Sequence, residues 1–341
     1  MFLPPHLRRT ALPIAAFLFW LALPLTCVAQ SFKDVPKNDP IYSAVEDLKT
    51  RGVLQGYADG TFRSSAIVSR AEAVKIIVTA AKVPTSSLSS ITSSVYDDIP
   101  SGVWFLPYVE WSRKDLKIID GPPNTSSFHP SRSVSKAEFI KMLLLSLDVD
   151  PNSYSEIILP LSADVTDTKA WFYPYIRLAV ATSMTTAGKG GLISPNRELT
   201  RGDVALLLDR LLLYREGKRT QELLSEIEQE ALTIVSALNA KDLHRAEYAS
   251  ARALLEARGA KSIAPDAAIV NGAVKVTEGY RALVRGYRAA TEKKYEEAIR
   301  LYQDAWFIGN RAIEMSSSVK TYAVGIQTSA QKLAAEARAH K

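Results

Sequence analysis

The feature that most constrains this chain is a short pattern that returns three times. It stands as Ile67-Val-Ser-Arg-Ala-Glu-Ala-Val-Lys-Ile-Ile-Val78, again as Ser133-Val-Ser-Lys-Ala-Glu-Phe-Ile-Lys-Met-Leu-Leu144, and again as Glu198-Leu-Thr-Arg-Gly-Asp-Val-Ala-Leu-Leu-Leu-Asp209. Each copy opens with a hydroxyl residue, Ser69, Ser135 or Thr200, and has an acid three positions later, Glu72, Glu138 or Asp203. That is the capping-box signature, in which hydroxyl and carboxylate satisfy free backbone N–H groups at a helix start. An apolar helical run follows each box. Between hydroxyl and acid stands a cation, Arg70, Lys136 or Arg201. Capping has no use for it, and the helix macrodipole mildly disfavours positive charge there. Its threefold recurrence marks the cation as a candidate for another task.

The repeat extends upstream. Phe62, Phe128 and Ile193 lie eight residues before the cations, and Asp34, Asp98 and Asp164 lie 36, 38 and 37 residues before them. Successive acids are 64 and 66 residues apart. A second amphipathic helix fits between acid and cation. Asp39-Pro40 marks its start in the first copy, since proline suits a first helical turn; Trp104-Phe-Leu-Pro-Tyr108 and Trp171-Phe-Tyr-Pro-Tyr175 lead in elsewhere. Each unit reads helix, glycine-containing loop, capped helix. Gly56-Tyr-Ala-Asp-Gly-Thr-Phe62 carries Asp59-Gly60, a strong turn signal. Gly121-Pro-Pro-Asn124 and Gly188-Lys-Gly-Gly191 stand in its place later. The second of these lacks the spacing and following Lys-Ser/Thr of a phosphate loop and reads as a turn. Residues 84–94 and 150–155 read as loops between units of one domain, because a single helical pair has little core of its own.

Taken together, Asp-Val-Pro, a helix, Gly-Tyr-x-Asp-Gly-Thr-Phe, and Ser/Thr-Arg-Ala-Glu before an apolar helix resemble the S-layer homology (SLH) domain, usually found as three tandem copies. The resemblance covers about residues 31–214, in units of about 31–83, 95–147 and 161–214. It implies a mainly α, pseudo-threefold helical bundle that binds cell-wall polysaccharide, often a pyruvylated secondary polymer, in grooves between adjacent units. It implies that Arg70, Lys136 and Arg201 face the acidic group of the wall sugar, the arginines offering paired donors and the lysine a point charge. It places Trp104 and Trp171 as flat platforms for a sugar ring, and brings Asp34, Asp98, Asp164 and Gly56 toward the ligand. On the residues alone, a helix-start cation is also a solvated charge, and a tryptophan also a core residue. The three acids also cap the first helix or tie its loop, and Gly56, Asp59 and Gly60 shape a turn. The first unit has Pro40 where the others have tryptophan.

Residues 1–29 read as an export signal: His6, Arg8 and Arg9 form a basic start, 11–25 is an uncharged apolar core, and Cys27-Val-Ala29 precedes a cut ahead of Gln30. The alternative is an uncleaved membrane anchor. Cys27 is the single cysteine, so the cleaved chain has no disulfide, thiolate metal site or cysteine nucleophile. Residues 30–214 carry 20 basic and 20 acidic side chains and 215–341 carry 20 and 16, neither region basic enough to argue for nucleic acid. His6, His129, His244 and His340 show no metal spacing, and no nucleophile elbow or zincin motif is present. No catalytic residue, metal or cofactor is expected.

After Tyr214 proline is confined to Pro265, and Ala, Glu, Lys, Arg and Leu dominate. Helices are expected near 219–239, 243–258, 266–291, 295–316 and 319–339, with Asp242 and Asp266 as caps. Gly286, Ala298, Tyr302 and Ala305 fall at the small and aromatic positions of a tetratricopeptide repeat, which the segment 286–305 resembles; 240–253 is a fainter echo. Either a plain all-α bundle or a repeat-like array fits residues 215–341. The expected reading is an exported, non-enzymatic protein of the cell surface, cell wall or S-layer. Its partner would be a cell-wall secondary polymer or peptidoglycan, with a protein partner or self-association through 215–341. The alternative is an envelope scaffold working through those helices, with 31–214 as the tether.

Overall fold

The computed structural model describes residues 31–120 and 124–340, so the export-signal reading and Gly121-Pro-Pro lie outside the described residues. Twelve α-helices and no extended strand occur among the described residues, and the fold is mainly α. Each unit contributes two main helices: α1 (Tyr42–Thr50) and α2 (Arg70–Ala80), then α4 (Leu106–Lys114) and α5 (Lys136–Ser146), then α6 (Tyr173–Ala181) and α7 (Arg201–Arg215). A short helix, α3 (Thr85–Ser89), interrupts the stretch expected to be loop. Buried Leu88 anchors it, and the Ser89 hydroxyl donates to the Ser86 carbonyl.

The three capping boxes close as the sequence predicts. Ser69, Ser135 and Thr200 accept from the backbone N–H of Glu72, Glu138 and Asp203, whose carboxylates accept from the cap residue's own N–H. Two further N–H groups at each helix start would lack partners in an isolated helix. The next unit supplies them. Arg70 and Ala71 donate to the carbonyls of Arg132 and Pro130, Lys136 and Ala137 to those of Arg197 and Pro195, and Arg201 and Gly202 to those of Ala66 and Ser64. Just before the helices the chains close a ring. The Val68 N–H donates to the Leu199 carbonyl (2.9 Å), Leu199 to Val134 (3.1 Å) and Val134 to Val68 (3.1 Å). Each unit therefore completes its neighbour, and the third returns to the first.

The first helix of each unit packs on the capped helix of the unit before it: α4 on α2, α6 on α5, and α1 on α7. Phe62, Phe128 and Ile193 are fully buried between them, each such side chain contributing roughly 1.5–3 kcal/mol. At the α1–α7 seam Asp209 is 6% exposed with one carboxylate oxygen unpartnered. Burial and the adjacent Asp47 carboxyl push its pKa up to about 7, against a weaker pull from Arg51 and Arg219.

Five long helices follow: α8 (Thr220–Asn239), α9 (Leu243–Ile263), α10 (Ala268–Thr291), α11 (Tyr295–Met315) and α12 (Lys320–Ala339). Asp242 caps α9 by accepting from the Arg245 N–H. Asp266 does not cap α10; the position before that helix is Ala267, without a side-chain bond. Each helix packs mainly on its sequence neighbours. Gly286 admits the Tyr302 ring, which a Cβ there would meet at 2.6 Å.

These helices do not hang free of the repeats. Ala251 and Leu255 of α9 belong to the same core as the three units. A Cβ on Gly259 would stand 1.6 Å from the Ala181 carbonyl oxygen, so α9 meets α6 backbone to backbone. Arg252 is 4% exposed, grips Glu230 with two bonds of 2.7 Å and donates to the Leu161 carbonyl at 2.6 Å. Arg219 bonds the Ser183 hydroxyl, which donates to Glu226. Behind this network burial, with nearby Glu230 and Glu226, pushes the pKa of Glu256 well up.

Candidate functional site

The puzzle of the helix-start cations is resolved across the unit boundaries. Arg201 reaches from the third unit into the first, donating from Nε to the Phe62 carbonyl and from Nη2 to the Gln55 carbonyl, both at 2.9 Å. Its guanidinium carbon lies 4.8 Å from the Phe62 ring centre and 5.1 Å from that of Tyr57. Arg70 reaches from the first unit into the second, 4.9 Å over the Phe128 ring and 3.8 Å from Glu138. Burial lowers its pKa, opposed by Glu138. Lys136 enters the third unit, where its Nζ donates to the Ile193 carbonyl at 2.7 Å. The cation of one unit thus lands on the apolar residue that precedes the next unit's cation, which accounts for both conserved spacings within this chain.

Two equivalent grooves open at these crossings. The first, of about 260 Å³, brings together Arg201, the Gly56 loop, Glu72 and Lys75 of α2, and Trp104. The second, of about 220 Å³, brings together Arg70, Asp120, Glu138 and Lys141 of α5, and Trp171. Each takes a cation from one unit, a loop and a capped helix from the next, and a tryptophan from the third. Trp104 and Trp171 are 52% and 53% exposed, so neither packs as a core residue. Lys75 and Lys141 stand over their rings at 5.3 and 5.7 Å, an arrangement in which the ring face attracts the ammonium. Sequence reading missed these lysines. They lie three residues after the box acids, the spacing that shares one helix face.

The third crossing differs. Lys136 is buried, with its ammonium spent on a carbonyl of the protein and its pKa pulled down to about 8 by burial. Leu206 takes the place of Lys75 and Lys141, and Pro40 that of the tryptophan. The Trp104- and Trp171-type platform and the second cation are both missing from this crossing.

The remaining candidates serve the fold. The carboxylate of Asp34 accepts from Phe62 and Arg63, that of Asp98 from Phe128 and His129, and that of Asp164 from Ile193 and Ser194. The second residue of each pair has positive φ, 58°, 60° and 59°, an uncommon conformation that costs free energy in a residue with a Cβ. The acids hold that turn; they neither cap the first helix nor present a free oxygen pair to a groove. Burial tends to raise the Asp34 pKa, but the N–H groups of Phe62 and Arg63 outweigh it and keep it below the usual range. Gly56 lines the first groove, and a Cβ there would meet the Phe32 ring at 2.2 Å, so close packing requires the glycine. Arg132 and Arg197 pair with the box acids Glu138 and Asp203, whereas Ala66 occupies the matching position beside Glu72. Among the described residues no group of three or more His, Cys, Asp or Glu could hold a metal ion, and no helix is long and apolar enough to cross a membrane.

Residues 31–74 and 95–140 match the S-layer homology domain family. The chain is 28% identical over 173 residues to the surface-layer 125 kDa protein of Lysinibacillus sphaericus, covering 50% of this chain and 14% of that protein. It is 29% identical over 178 residues to the middle cell wall protein of Brevibacillus brevis, covering 52% and 15%. An endoglucanase of a Bacillus species is 29% identical over 126 residues, 36% of this chain and 12% of that enzyme. The matched part is thus a small fraction of each relative.

Proposed function

We propose that residues 31–214 attach this protein to the cell wall by binding an anionic polysaccharide in two grooves, with Arg201 and Arg70 facing the acidic groups. The S-layer homology match and the surface-layer relatives indicate an exported protein of the cell surface or wall. The single observation that carries the binding reading is the paired construction of the grooves: cation, second cation and half-exposed tryptophan in the same places twice. A guanidinium and an ammonium attract a carboxylate, and an indole face covers the apolar face of a sugar ring. An acidic sugar, including one carrying a pyruvate ketal, meets both demands. On this reading 161–214 is a diverged third copy of the same domain, and its crossing has become a structural joint. We read the chain as a non-enzymatic binder; the endoglucanase shares only 12% of its length with the match.

The test is co-sedimentation of the protein with purified sacculi of the source organism, before and after acid stripping of the secondary polymer. Binding lost on stripping, and lost in the Arg70→Ala plus Arg201→Ala variant, is the expected result. Binding that survives stripping assigns the ligand to peptidoglycan itself, and full binding by the double variant sinks the proposed grooves. A second reading, in which 215–341 contacts a protein partner or itself, is favoured by Phe307 and Met315 of α11, 61% and 45% exposed. A monomeric chain at high concentration that retains no protein from an envelope extract would count against it.

A further inference from the structure

A larger cleft, of about 810 Å³, lies away from both grooves, between the glycine loop of the third unit and the α8–α9 pair. Its volume falls in the range of small-ligand sites. One wall is Gly188, Gly190 and Gly191, where bare backbone replaces side chains. Facing it on α9 are Tyr248 and His244, stacked with centroids 6.3 Å apart and planes at 20°. The floor is the buried Arg252–Glu230 pair, and it is electrostatically closed: Arg252 spends Nε and Nη2 on Glu230 and Nη1 on the Leu161 carbonyl. The rim holds one acid, Asp242, and one base, Arg245, and the exposed Gln229 side chain.

Such a cleft has no charge excess to select an anion. It offers a flat ring, a smooth glycine wall whose Gly188 and Gly191 N–H groups are held within the turn, and side chains that both donate and accept. Hydroxyl and acetamido groups of an uncharged sugar also donate and accept, and the C–H face of its ring covers an aromatic one. We propose that this cleft is a binding site for an uncharged saccharide segment, distinct from the two cationic grooves. Tyr248 is its platform, and Gln229 and Arg245 bond to the sugar's polar groups. That the saccharide belongs to the wall rests on the reading above; that the cleft binds sugar does not.

The experiment is isothermal titration of the full chain with triacetylchitotriose. The intact protein should bind it, Tyr248→Ala should weaken binding about tenfold and Gln229→Ala about threefold, losses on the scale of one stacked ring and one hydrogen bond. Tyr248→Phe should retain most of the affinity, which separates stacking from a collapse of α9. Arg70→Ala plus Arg201→Ala should leave this titration unchanged while abolishing sacculus binding, so either reading can fail alone. The proposal is overturned if the intact protein does not bind the trisaccharide, or if Tyr248→Ala and Gln229→Ala both bind it as the parent does.

Discussion

Replacing Asp209 by asparagine should make the protein more stable at neutral and alkaline pH and leave it unchanged in mild acid. Asp209 sits at the seam where the third unit closes on the first, and burial together with Asp47 raises its pKa from 3.8 to about 7. Between those values the folded state holds a proton that the unfolded chain has released. Stability therefore falls as pH rises, by about 1.4 kcal/mol per unit, and levels off above about pH 7. The raised pKa spans roughly three units, which sets a ceiling of about 4 kcal/mol for the cost of ionising this one carboxyl. Asparagine keeps the shape and never ionises. The variant should match the parent near pH 4 and exceed it progressively toward about pH 7–8, by an amount of the order of 2–4 kcal/mol. Urea unfolding followed by circular dichroism at four or five pH values gives the difference directly. Glu226 and Glu256, whose pKa values burial also raises, titrate in both proteins and drop out of the subtraction. A difference that does not change with pH, or a variant less stable at pH 8, would refute the assignment of the buried proton to Asp209.

Other consequences can be measured in the same way. Trp104→Ala and Trp171→Ala together should weaken sacculus binding by about tenfold or more, each loss being of the order of 1 kcal/mol, whereas undiminished co-sedimentation would exclude the indoles as platforms. Lys136→Met should leave sacculus binding intact. In the parent the folded lysine has the lower pKa, about 8 against 10.5, so stability should rise between those pH values by up to about 3 kcal/mol and the methionine variant should lack that rise. Gly259→Ala forces a Cβ into the Ala181 carbonyl. It should cost at least about 2 kcal/mol in chemical unfolding, and an unaltered midpoint would mean that α9 does not dock on α6 in solution. Ser135→Ala removes one cap and should cost about 1 kcal/mol.

The parts of this molecule that were legible in its sequence act over short distances. A hydroxyl and an acid three residues apart meet within one helical turn, so all three boxes could be assigned from spacing. The five C-terminal helices announced themselves by composition and breaks, and four of their starts fall within one residue of the expected positions. The work done by the cations was not legible, because Arg201 finds its acceptors 139 and 146 positions earlier in the chain. Nor was the fate of Lys136. The third crossing differs from the others by Leu206 and Pro40, and nothing local marks a lysine that will be enclosed. Asp34, Asp98 and Asp164 recur as regularly as the cations do, yet they serve turns of their own units. Recurrence identified shared geometry; only the fold separated the side chains that face solvent from those that hold the backbone. The docking of α9 on α6 rests on a glycine whose role depends on a carbonyl 78 residues away.

The ring joining Val68, Leu199 and Val134 also governs when this protein can exist. A chain emerging amino end first offers Val68 to its surroundings long before Leu199 follows, and until then neither of the first two units has all its partners. The ring of three units is therefore complete only once Leu199 has been delivered. While the chain is still being delivered, as through a narrow passage, Val68 and Val134 lack the bonds that Leu199 supplies. The same closure sets the penalty for truncation: a chain cut short of its third unit loses that unit's share of the repeat core, the helices docked on it, and the two bonds that Leu199 makes to the others.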